Sequence, residues 1–88
     1  MLNTKINESS RLARFVHRGL ISELRKRYKR IKNRGVRQAP FCVLIRAEMP
    51  AILVEVGYIT NSIENRRLCS ETYRKRAASG IVRALIYT

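Results

Sequence analysis

Two short aliphatic runs, each introduced by a proline, constrain this chain more than any other feature. Pro40 opens Phe41-Cys42-Val43-Leu44-Ile45, and Pro50 opens Ala51-Ile52-Leu53-Val54-Glu55-Val56. Runs of this length, rich in aliphatic and β-branched residues, predict strands covered on both faces rather than alternating surface strands. Such strands need helices above and below and more neighbours than each other, because an isolated apolar pair leaves faces and edges open. A chain of 88 residues hides only about 60% of its unfolded surface. The expectation is an α/β chain that forms part of a larger sheet.

The flanking segments supply the helices. Leu12, Phe15, Val16, Leu20 and Leu24 recur at three- and four-residue steps and predict a helix beginning near residues 7–9 and reaching about Tyr28, with Ser and Asn residues ahead of it to cap its first turn. Asn61 stands three residues before Glu64, a variant capping box that opens a short helix through about Leu68. Ser70 caps a last helix, in which Tyr73, Ala77, Ile81 and Leu85, with Ala78, Val82 and Ile86, make a broad apolar face suited to lying on a sheet. The predicted order is helix-strand-strand-helix-helix.

Nineteen Lys and Arg against six acidic residues leave a net charge of +13. Such an excess calls for a polyanionic neighbour or for an acidic portion outside the chain. Eight of the cations fall between residues 25 and 37, where Asn33 and Gly35 mark a helix end passing into a loop. Cys42 and Cys69 have no Cys or His at metal-ligand spacing, so two buried, unpaired thiols are expected, a disulfide remaining open if they come close. The opening residues show no apolar segment after a basic start, so no secretory leader is expected. No stretch approaches the roughly 18 apolar residues of a membrane span.

Glu55 is the residue that stands out. An ionised carboxylate at the end of an aliphatic strand costs several kcal/mol if buried without a partner. Two readings compensate for it: a structural ion pair with a basic residue, or a site at the carboxyl edge of a sheet, where open α/β folds place their ligands.

The residues around it are similar to a known pattern. Gly35-Val36-Arg37-Gln38-Ala39-Pro40-Phe41-Cys42-Val43-Leu44, followed by Met49-Pro50-Ala51-Ile52-Leu53-Val54-Glu55-Val56-Gly57-Tyr58-Ile59-Thr60-Asn61, resembles the second half of the catalytic domain of bacterial N-acetylmuramoyl-L-alanine amidases. Glu8-Ser9-Ser10-Arg11-Leu12-Ala13 resembles the start of the preceding helix of that family, and residues 64–68 and 73–86 its closing helices. The resemblance implies that residues 1–88 are the C-terminal portion of one amidase catalytic domain, from a larger mixed-sheet zinc hydrolase with three layers. It implies hydrolysis of the peptidoglycan amide between N-acetylmuramic acid and L-alanine of the stem peptide, in a family exported to the cell envelope or periplasm. It further implies a zinc ion held by two histidines and a glutamate, and a second glutamate, matched by Glu55 in Leu53-Val54-Glu55, that takes a proton from the attacking water.

The zinc-holding segments of that pattern are absent from these residues. His17 is the single histidine and sits within the first predicted helix, at no ligand position of the family. The expectation is therefore no metal ligand and no bound cofactor in this chain alone, inactivity in isolation, and an N-terminal half as partner. A small basic nucleic-acid-binding module is the alternative, argued from charge, although Tyr28 is the one aromatic in the basic run and no stacking platform appears. A noncatalytic wall-binding remnant is a third reading.

Overall fold

The computed structural model describes residues 2–38, 44 and 46–86. They form three helices: α1 (Leu2–Arg25), α2 (Ser62–Leu68) and α3 (Glu71–Ile86). α1 begins several residues earlier than its apolar spacing suggests, because Leu2 to Ile6 contain no breaker and extend the helix without a cap at Ser9. It ends three residues short of Tyr28, where the N–H groups of Arg27 and Tyr28 both turn back to the Leu24 carbonyl.

The caps of α2 and α3 follow the sequence closely. Asn61 Oδ1 accepts from the N–H groups of Ile63 and Glu64 at 3.0 and 3.1 Å, and Ser70 Oγ accepts from Tyr73 N–H at 3.3 Å. Each satisfies donors that a helix start leaves free.

The α/β expectation is corrected: among the described residues there is no strand, and the order of elements is α1, α2 and α3, with residues 51–58 outside any regular element. Residues 51–58 have no regular secondary structure, and a strand is defined by a ladder to a neighbour. The first and last amides of this segment, Ala51 and Tyr58, instead bond to side chains. The other predicted strand, Phe41 to Ile45, lies outside the described residues apart from Leu44. No layered mixed sheet is built from these residues, and α3 packs on α1 rather than on a sheet.

The core is thin and one-sided. Leu20 and Leu24 of α1 meet Tyr73 and Ala77 of α3, with Ile31 of the intervening loop folded beneath them, and Val16 is 1% exposed on the same stripe. The Tyr28 ring stands edge-on to Tyr73, centroids 4.8 Å apart, an arrangement that contributes about 0.5–1.5 kcal/mol beyond area burial. The helices approach closely because both carry glycine at their crossing. A Cβ on Gly80 would lie 3.1 Å from Leu20 Cα and 3.2 Å from the Gly19 carbonyl, and one on Gly19 would lie 3.0 Å from Ala84 Cβ. Each glycine costs a helix roughly 1 kcal/mol relative to alanine, and backbone proximity is the return. The far side of α3 stays open, with Val82 and Leu85 each 52% exposed.

The basic run is more than a solvated face. Arg25 donates to the Ile31 carbonyl at 3.1 Å, holding the loop over the core. Arg67 of α2 donates to the Lys29 carbonyl and sits over the rings of Tyr28 and Tyr73. Glu23 on α1 gathers Lys26 at 3.0 Å, Arg76 at 3.0 Å and Arg83 at 3.5 Å. Donation from Lys26 leads in holding its carboxyl below the usual range, against the opposing effect of burial. Cys69 is exposed and unpaired, contrary to the expectation of a buried thiol; Cys42 lies outside the described residues.

Candidate active site around Glu55

The segment that carries Glu55, residues 51–58, is attached to α1 at one end and to α2 at the other by side chains. Ala51 N–H donates to Ser9 Oγ of α1 at 3.0 Å, and Tyr58 N–H donates to Glu64 Oε1 of α2 at 3.1 Å. Between these points Val54 packs against the core cluster, whereas Leu53 is 51% and Val56 39% exposed. Glu55 itself is exposed. Among the described residues it makes no ion pair and no hydrogen bond, in a chain where cations outnumber carboxylates about threefold. The burial penalty anticipated for a central strand is therefore not incurred, since the segment has a free side.

That free side is a cavity of about 820 Å³, mostly apolar, between α1, the loop after it and the segment bearing Glu55. Val16, Leu20 and His17 line one wall, Ile31 and Arg34 another, and Ile52, Val54 and Glu55 a third.

Arg34 organises its far end. Its guanidinium donates to both oxygens of Glu64, at 2.7 and 2.6 Å, and lies 4.1 Å from the centroid of the Tyr58 ring. The Arg34 donation is the chief reason the Glu64 carboxyl is held down at about 2, with the Tyr58 N–H adding to it and burial opposing. The same bond raises Arg34 above its ordinary value. A local turn presents Arg34: Asn33 Oδ1 accepts from Gly35 N–H at 3.0 Å, with Gly35 at φ 80°, where glycine is favoured. The same oxygen accepts from His17 Nε2 at 2.6 Å, so His17 faces the cavity as a tether for the loop.

Asn61 caps α2 as its spacing implies, but Glu64 has a different partner from the one a capping box implies. As the last residue of a capping box Glu64 would reach back to the Asn61 amide, yet that amide bonds to the Tyr58 carbonyl and Glu64 turns to Arg34 and Tyr58. Ser9, read as part of a helix start, lies inside α1 and reaches Ala51. Neither long-range pairing has a signal in spacing alone.

No group of three or more His, Cys, Asp or Glu able to hold a metal occurs among the described residues. His17 is engaged by Asn33, Glu64 by Arg34, and Glu23 by Lys26, Arg76 and Arg83. These residues do not fit a zinc site.

Residues 1–87 match the family model of N-acetylmuramoyl-L-alanine amidase. The chain belongs to that amidase family. It is 39% identical over 77 residues to the uncharacterized protein YqiI of Bacillus subtilis, covering 88% of this chain and 35% of that one. It is 32% identical over 84 residues to an uncharacterized cell wall amidase of Bacillus anthracis, covering 96% of this chain and 15% of the relative. With the N-acetylmuramoyl-L-alanine amidase LytC of Bacillus subtilis it shares 36% over 73 residues, 83% of this chain and 14% of the relative. The amidase chain thus spans about a third or less of the length of these relatives. No solved structure gives a significant match. The family is one of hydrolases, and the nucleic-acid module finds no support among the relatives. Among the described residues no helix is long and apolar enough to cross a membrane.

Proposed function

We propose that this chain is the C-terminal portion of an amidase catalytic domain that cleaves the peptidoglycan amide between N-acetylmuramic acid and L-alanine, with Glu55 as its proton-handling carboxylate. In this reading Glu55 accepts a proton from the water that attacks the amide carbonyl and returns it to the departing amino group of L-alanine. The observation that carries it is an exposed carboxylate on the wall of the large apolar cavity, with no ion pair to any cation among the described residues. A carboxylate locked onto an arginine is held in its charged form and is a poorer proton acceptor.

The remainder of the catalytic domain, including every ligand of the family's zinc ion, lies outside these residues in this proposal. The short coverage of the relatives supports it, and so does the unfilled cavity beside Leu53 and Val56, an apolar surface of a kind that a folded domain covers. Action at the cell envelope follows from the substrate.

The test is release of stem peptide from purified sacculi by the chain joined to the upstream part of an amidase relative. Glu55→Gln is expected to lower the rate about 10²–10⁴-fold while zinc content stays the same. Full activity in that variant would overturn the assignment of Glu55.

A further inference from the structure

We propose that Ser9 and Glu64 are positioning residues, whose side chains tie down the two ends of the segment bearing Glu55 and so set where its carboxylate stands. The inference rests on the reading of Glu55 given above, but its geometric part stands separately.

Between residues 51 and 58 no backbone ladder fixes the chain among the described residues. Its attachments are the Ala51 amide on Ser9 Oγ at 3.0 Å, the Tyr58 amide on Glu64 Oε1 at 3.1 Å, and the packing of Val54 on the core. The anchors belong to different helices, so the segment is slung between α1 and α2. Serine within a helix is a poorer choice than alanine for the helix itself, and acceptance from Ala51 accounts for it.

Glu64 is held for the same task. Arg34 occupies both carboxylate oxygens, which fixes the orientation of Oε1 toward the Tyr58 amide. The carboxyl, held at about 2, stays an acceptor at all ordinary pH. Gly57 makes room: a Cβ there would lie 3.3 Å from Glu64 Oε1, on a residue at φ 157°. Three residue choices at separate points in the sequence thus serve one attachment. Reacting groups misplaced by about 1 Å lose on the order of 10²-fold in rate, so the attachment of a base-bearing segment has a kinetic consequence.

The test begins with the chain itself. In Ser9→Ala, amide exchange at Ala51 is expected to rise about tenfold, the loss of one hydrogen bond, with backbone order at Glu55 falling by NMR relaxation while α1 stays intact. Glu64→Ala is expected to do the same at Tyr58. Glu71→Gln, which breaks an exposed pair remote from the segment, leaves both unchanged. In the enzyme completed with an upstream part, Ser9→Ala lowers kcat about 10- to 100-fold with KM within about twofold, and Ser9→Thr, which keeps the hydroxyl, restores it. Unchanged exchange and unchanged order at Glu55 in both variants overturn the proposal, whatever the kinetics. So does an unaltered kcat in Ser9→Ala when Glu55→Gln is inactive. Full activity in Glu55→Gln instead overturns the assignment of the base, and exchange at Ala51 and Tyr58 then still decides whether the segment is tied.

Discussion

Arg34 and Glu64, thirty residues apart in sequence, meet fork to fork, with guanidinium nitrogens 2.7 and 2.6 Å from the two carboxylate oxygens. Paired geometry of this kind is the strong form of a charge-assisted hydrogen bond, and here it joins the loop after α1 to the first turn of α2.

The pairing predicts acid sensitivity. Glu64 is lowered from an ordinary 4.5 to about 2 in the folded chain, so its contribution to stability is complete above about 4.5 and is lost as pH falls toward 2. Glu23, lowered in the same direction, adds to that limb. Thermal melts between pH 6 and 2 should show the midpoint falling over this interval, and Glu64→Gln should start lower at pH 6 and flatten the curve.

The helix crossing predicts intolerance of bulk. Gly80→Leu would place a side chain where even a Cβ is 3.1 Å from Leu20 Cα. Overpacking costs about 1–3 kcal/mol or more, a large share of what so small a domain has. Denaturant titration is expected to show a marked loss of stability or no folded baseline.

Glu23 predicts a contrast with Glu71. Glu23 has 12% side-chain exposure and answers three cations, whereas the Glu71–Lys75 pair is 71% and 77% exposed. Glu23→Gln should lower the melting temperature clearly, leaving Arg76 and Arg83 without their acceptor, and Glu71→Gln should leave it within error. Equal effects would show that the α1 to α3 clamp contributes little.

The role proposed for the exposed Glu55 predicts stability without activity. Glu55→Gln should leave stability within about 0.5 kcal/mol, as surface changes do. A large loss by chemical denaturation would mark Glu55 as a structural carboxylate instead.

Much of the helical fold was legible in the sequence because its signals are local. Asn61 and Ser70 cap where expected, and Leu20, Leu24, Tyr73 and Ala77 are buried as their spacing implies. The sheet was not, for a physical reason: Ile52-Leu53-Val54 has the composition of a covered strand, but a strand exists only with a partner, and none is present among the described residues. Glu55 stands out in the sequence through its setting in an aliphatic run, but its exposure was not legible, because burial depends on what lies across the cavity. Gly19 and Gly80 passed as ordinary helix residues, since close approach of two backbones leaves no periodic trace.

The glycine contact between α1 and α3 has a further effect. At Gly19 and Gly80 the two backbones come so near that no long side chain stands between them there to change rotamer, which favours a stiff crossing. A polypeptide settling into the open side would meet a wall already in shape, and little of its binding free energy would be consumed in ordering that wall.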